Sequence, residues 1–203
     1  MALGIDVSQY QGKIQWGEVA KSGRKFAICR VADGVKHLDM TFAENAAGAA
    51  KAGMAVGGYL FWRAESTPED QAALLCSQAA KEGWLPPCID FEHQDVSKLQ
   101  RKEVRERLLA TARKVQEIAG ACMIYSSVSW WDIFMRPGDE KGLFLWVAHY
   151  GVERPTLPTH WGRYDFWQFT SDGKVPGISG KVDENRFSGD ELALRQLCDR
   201  VCR

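Results

Sequence analysis

The chain has 203 residues, 26 basic against 26 acidic, and 45% of it is hydrophobic, with eight Trp. That length buries one large core and fits a single domain spanning residues 1–203. Zero net charge offers no field for nucleic acid, and no apolar run approaches the roughly 18 residues a membrane span needs, so a soluble, monomeric globular protein is expected.

In chain order, apolar strand-like runs alternate with helical stretches. Leu3 to Val7 is a strand with Gly4 and Asp6 on one face and Leu3, Ile5 and Val7 on the other, which puts Asp6 at a strand end pointing inward. Phe26 to Val31 is the next strand, and an Ala-rich helix runs from about Asp39 to Lys51 and stops at Gly53. Ala55 to Trp62 follows as a strand; Thr67 then caps a helix that suits Pro68 in its first turn and ends at Gly83. After the strand Pro87 to Glu92 comes the clearest helix, about Ser97 to Ile118. It carries Val104, Leu108, Ala112, Val115 and Ala119 on one stripe, with charges opposite and Gly120 as its stop. Ala121 to Tyr125 is the fifth strand. Beyond Gly142 the pattern changes: Leu143 to His149 and Tyr164 to Phe169 are strands with little room for helices between them, before a turn-rich segment and a last helix near Asp190 to Leu197. This order predicts an α/β fold, an irregular TIM-like β/α barrel, regular for five units and then closed by plain strands. Its active site belongs at the strand C-terminal ends.

Of the six cysteines, Cys29, Cys76, Cys88 and Cys122 lie singly in apolar segments, where a thiol behaves as a small core residue. Cys198 and Cys202 are one helical turn apart, within Cα reach of a disulfide but with unhelpful Cβ directions while the helix persists; a frayed terminus would allow the bond. No Cys-x-x-Cys pair occurs and the four His lack ligand spacing, so no metal and no cofactor is expected.

The chemistry centres on Pro87-Cys88-Ile89-Asp90-Phe91-Glu92-His93. In an extended segment Asp90 and Glu92 share a face, with Cα atoms roughly 6–7 Å apart. Two carboxylates that close do not both ionise easily, which supplies an acid beside a base, the requirement for cleaving an acetal bond. The alternative is an edge strand with a wet acidic face. Asp183 in Val182-Asp183-Glu184-Asn185 faces the same centre as Asn185 if that backbone is extended; taken singly, Asp6 and Asp183 also suit cap or turn positions.

These motifs, in order, resemble the lysozymes of family 25 of the glycoside hydrolases. Gly4-Ile5-Asp6-Val7-Ser8-Gln9-Tyr10-Gln11-Gly12 is similar to the family's opening signature, Asp90-Phe91-Glu92 to its Asp-x-Glu, and Trp146-Val147-Ala148-His149-Tyr150 to its Trp-x-Ala-x-Tyr strand. Val56-Gly57-Gly58-Tyr59-Leu60-Phe61 is similar to another strand, and Trp167 to Ser171 with Val182 to Phe187 to the closing blocks. The resemblance implies five β/α units plus three further strands, and hydrolysis of the β-1,4 bond between N-acetylmuramic acid and N-acetylglucosamine in bacterial peptidoglycan. It makes Glu92 the general acid, Asp90 its partner, and Asp6 and Asp183 flanking acids. Two departures put sugar contacts in question: Arg30-Val31-Ala32-Asp33-Gly34 stands where many members have Lys-Ala-Ser/Thr-Glu-Gly, and Leu60 where many have His.

Tyr59, Phe61, Trp146 and Tyr150 occupy strand positions compatible with an inward, sugar-stacking face, against the alternative of core packing; the hydroxyls of Tyr59 and Tyr150 need partners, which favours the site. Gln168 is expected to support the acids by hydrogen bonding. Trp130 and Trp131 suit either the groove or a helix face, and His93 faces away from Glu92. A glycan-binding barrel without activity would have no reason to keep Asp90 beside Glu92. A chitinase-like hydrolase is disfavoured by the Asp183-Glu184-Asn185 block. Without a signal peptide ahead of Leu3, the chain suits a phage lysis enzyme or a secreted enzyme whose leader is absent.

Overall fold

A computed structural model describes residues 1–201. The strand Leu3–Val7 (β1) is followed by a short 3-10 turn, the helix Trp16–Lys21 (α1), the long strand Arg24–Asp33 (β2) and a two-residue strand His37–Leu38 (β3). Phe42–Lys51 (α2), Ala55–Phe61 (β4), Pro68–Ala79 (α3), Cys88–Asp90 (β5), Arg101–Ala119 (α4), Met123–Ser127 (β6) and Val128–Phe134 (α5) complete the alternating part. Phe144–Ala148 (β7), Phe166–Gly173 (β8), Val182–Phe187 (β9) and Glu191–Cys198 (α6) close the chain.

Eight strands form a closed barrel in the order β1-β9-β8-β7-β6-β5-β4-β2, with β2 returning to β1; β3 is a ninth strand hairpinned onto the end of β2. Within the barrel the strands pair in parallel except β9, which is antiparallel to both β8 and β1; β3, outside the barrel, is antiparallel to β2. The expected five β/α units and three closing strands are therefore present. Because β9 runs backwards, its first residues lie at the same rim as the last residues of the parallel strands, and Asp183 pairs directly with Asp6.

The barrel wall separates two apolar layers. Inside it, Phe26, Ile28, Cys88, Met123, Trp146, Phe166 and Phe187 pack together; outside it, Ile5, Cys29, Leu60, Ile89 and Ile124 meet the helices. Strand alternation produces this division, and Gly4 shows how tightly the interior is filled, since a Cβ there would lie 2.4 Å from the Phe26 ring. On the outer side, buried Trp62 donates to Thr111 of α4 at 3.0 Å, so its indole N–H is satisfied within an apolar layer.

Local chemistry sets the helix ends. Thr67 accepts from the Asp70 N–H ahead of Pro68, Ser127 caps α5, Asp190 caps α6, and Gly120 terminates α4 at φ 78°. Several element boundaries differ from expectation, helix α3 for example ending at Ala79 rather than Gly83. Helix α4 begins at Arg101 rather than Ser97, because Ser97 and Leu99 are held in a turn by Asp95 and Val96. Helix α2 begins at Phe42, because the Asp39 carboxylate takes both the N–H and the hydroxyl of Thr41. Strand β5 ends at Asp90, so Glu92 stands on the loop just beyond it. The segment from Val182, expected to follow a turn-rich stretch and to place Asp183 inward if extended, is a full strand to Phe187. Cys202 lies outside the described residues, so the Cys198–Cys202 pairing does too.

Candidate active site

At the C-terminal mouth of the parallel strands is a cavity of about 230 Å³ lined by Asp6, Asp90, Glu92 and Asp183 together with Tyr59, Tyr125, Trp146, Tyr150 and Gln168. Each acid arrives by a separate route. Asp6 is the penultimate residue of β1, Asp90 the last of β5, Glu92 two residues further on, and Asp183 the second residue of the reversed strand β9. Backbone bonds from Trp62 N–H to the Asp90 carbonyl and from Phe91 N–H to the Tyr125 carbonyl carry the pairing just past β5 and aim Glu92 over the mouth.

An amide network holds Asp6. Asn185 and Gln168 both donate to its Oδ1, at 2.7 and 2.9 Å, which leaves Oδ2 as the position for any proton. The Gln168 carbonyl oxygen accepts from the hydroxyls of Tyr125 and Tyr150, at 2.8 and 2.5 Å, and Asn185 accepts from the Trp146 indole N–H at 2.8 Å. The Trp146 ring stands edge-on to Tyr59 and Tyr125. One connected set of hydrogen bonds thus ties β1, β6, β7, β8 and β9 into a fixed floor.

Burial, and then the charge of Asp183, pushes Asp6 up to about 8 against the pull of its two amide donors. Burial raises Asp183 to about 6. Asp90 is raised well above the usual carboxylate range, first by burial and then by Glu92 and Asp6. Glu92 is raised too, by burial and Asp183, with Arg63 and His93 opposing. Both acids are raised, Asp90 the more strongly because it is the more deeply buried, so burial favours the protonated form more at Asp90 than at Glu92. Burial also pushes Tyr150 up to about 12, so it stays a neutral donor. Asp90 Oδ1 is buried with no hydrogen-bond partner among the described residues.

Most of the expected site residues converge here. Phe61 is apart: it lies level with Asp90 in the sheet but carries the Arg63 guanidinium 4.3 Å above its ring and does not line the cavity. Trp131 is buried against Trp161, and Trp130 packs on Phe91, Phe134 and His93 away from the cavity. Tyr125 and Asn185 belong to the hydrogen-bonded floor of the cavity but were not singled out as site residues from the sequence; strand parity was the available signal, since Tyr125 lies opposite Asp90 and Trp146, and Asn185 opposite Gln168. The two family departures resolve differently. Leu60 is fully buried on the outer face and does not line the cavity, whereas Arg30 pairs with Asp39 at 3.0 Å and Asp33 holds Arg63 through two bonds at 2.5 and 2.7 Å.

A closed β/α barrel that gathers four carboxylates and a supporting set of tyrosines and amides at its C-terminal mouth has the architecture of a glycoside hydrolase. Residues 5–178 match the model of Glycosyl hydrolases family 25, and the chain belongs to that family. It is 33% identical to lysozyme M1 of Streptomyces globisporus over 98% of its own length and 71% of that protein. It is 24% identical to an N,O-diacetylmuramidase of Arthroderma benhamiae over 98% of its length and 85% of that protein. The solved bacterial lysozyme of Streptomyces coelicolor superimposes with a TM-score of 0.92 at 31% identity, covering 98% of this chain and 97% of that one.

Proposed function

We propose that this glycoside hydrolase is a lysozyme of the muramidase type. It cleaves the β-1,4 bond between N-acetylmuramic acid and N-acetylglucosamine in bacterial peptidoglycan, with Glu92 as general acid and Asp90 as the group that orients the substrate's own 2-acetamido nucleophile. The observation that carries this reading is the unpartnered Asp90 Oδ1 in the same cavity as Glu92. A buried carboxylate oxygen without a donor is costly, and the N–H of a 2-acetamido group supplies the missing donor.

That contact also redistributes the proton of the pair. Accepting an amide N–H favours ionised Asp90, so the proton passes to Glu92, which faces the leaving oxygen. The acetamide oxygen then attacks the anomeric carbon as Glu92 protonates the departing sugar, and water opens the resulting ring with Glu92, now a base, taking its proton. Asp183, raised only to about 6, supplies negative charge at the mouth beside the developing oxocarbenium ion. Asp6 keeps its proton below about pH 8 and is held in place by Gln168 and Asn185, with Tyr125 and Tyr150 donating to Gln168.

End-group chemistry tests the bond assignment. Digestion of purified peptidoglycan, borohydride reduction of the new ends and hydrolysis to monosaccharides is expected to yield muramicitol. Glucosaminitol as the main reduced sugar would make the enzyme a glucosaminidase and overturn the muramidase reading.

A further inference from the structure

Beside the catalytic cavity, at the same rim of the barrel, lies a second one of about 540 Å³, more than twice the 230 Å³ of the first. Its walls come from the segment after β4 and from the loop between β5 and α4, which leave neighbouring strands. Three cations, Arg63, Lys98 and Arg107, and two acids, Glu65 and Asp95, line it, with Leu99 providing an apolar wall.

The cavity is a built feature rather than a gap between loose loops. Buried Gln94 accepts from the Ala64 N–H and donates to the Trp62 carbonyl, and Arg107 donates to the Ala64 carbonyl at 2.9 Å, so the two loops are fastened to each other and to α4. Arg63 is neutralised by Asp33, but neither Lys98 nor Arg107 is within ion-pair distance of a carboxylate among the described residues. Arg63 also borders the catalytic site, since its charge bears on both Glu92 and Asp90. The two cavities thus adjoin at Arg63.

We propose that this second cavity is the subsite for the peptide carried on the lactyl ether of muramic acid, its carboxylates paired with Lys98 and Arg107 and its ammonium group with Glu65 or Asp95. The proposal rests on the muramidase reading and adds where the branch goes. A bare glycan has no amines and no alkyl side chains to match alternating cations, acids and an apolar wall, whereas a short zwitterionic peptide has all three. With Arg63 held by Asp33, Lys98 and Arg107 face Glu65 and Asp95, two cations against two acids, which suits a zwitterionic peptide.

The test compares two substrates made from one preparation: peptide-bearing glycan strands, and the same strands stripped by an amidase. Lys98 is exposed, so Lys98→Gln and Lys98→Glu should fold normally, which thermal unfolding checks. On peptide-bearing strands Lys98→Glu is expected to lower kcat/KM about 5- to 10-fold, chiefly through KM, with Lys98→Gln between it and wild type. On stripped strands both variants should match wild type. Equal effects on the two substrates, or none on either, would overturn the subsite. Failure of the wild-type enzyme to cut either substrate would instead sink the muramidase reading, so the two failures are distinct.

Discussion

At the scale of single residues, the carboxylates of the site are buried to different depths, Asp6 and Asp90 more than Glu92 and Asp183. Replacing Glu92 by Gln keeps the shape but removes the transferable proton. Turnover is expected to fall about 10³-fold or more while binding to cell walls persists, measurable by turbidity loss alongside sedimentation with walls. Asp90→Asn should be nearly as severe, because its amide side chain presents a donor or a weaker acceptor where Oδ1 waits for an N–H. Under the acetamide mechanism, chromogenic substrates lacking the 2-acetamido group should be cleaved far more slowly than those bearing it. Equal rates would remove the acetamide from the reaction while leaving Glu92 as the acid.

Secondary-structure elements set how accurately those residues are held. Helix α4, 19 residues long, backs β4 through the Trp62–Thr111 bond and forms one wall of the second cavity, and its C-terminus depends on Gly120 in the left-handed region. An L-residue there pays the αL penalty, so Gly120→Ala is expected to cost about 1 kcal/mol, seen as a lower urea midpoint with an unchanged m-value. An unchanged midpoint would mean that the C-cap relaxes without cost. The reversed strand β9 is the element on which the site turns: it brings Asp183 and Asn185 to the rim while Glu184 points outward to pair with Arg24. Parity along Val182-Asp183-Glu184-Asn185 made that division legible once the segment was taken as extended. Its antiparallel direction was not, because strand direction depends on the connection and not on side-chain alternation.

For the whole molecule, clustering raised acids makes stability fall as pH rises. Asp6 ionises near 3.8 in the unfolded chain but near 8 when folded, so between these values the native state holds a proton that the unfolded state has released. Its favourable contribution is full below about pH 4 and is lost as pH climbs through 8; Asp183, at about 6, acts in the lower part of the same window. Asp33, Asp39 and Asp139 are depressed by their Arg partners and hydrogen bonds, and they act oppositely, losing stability only as pH falls below the ordinary carboxylate range. Denaturant unfolding at a series of pH values is therefore expected to show declining stability from about pH 5 to 8. Asp6→Asn, whose oxygen still accepts from Gln168 and Asn185, should flatten the decline and be the more stable form at pH 8 despite impaired catalysis. A variant with the wild-type slope would show that Asp6 ionises freely in the folded protein.

The order of strands and helices, five units and then plain strands, was set by local chemistry: apolar runs of strand length, an amphipathic stripe on α4, and Thr67, Pro68 and Gly120 at helix ends. The acid pair was equally local, since Asp90 and Glu92 are two residues apart. Tertiary structure alone decided what lies across the barrel from what. Asp6 and Asn185 are 179 positions apart in sequence and 2.7 Å apart in space, Gln168 became the link between two tyrosines and Asp6, and Phe61 was drawn under Arg63 instead of into the cavity. The physical reason is that alternation along a strand tells which face a side chain takes, whereas closure of the barrel, its register and the reversal of β9 determine which faces meet.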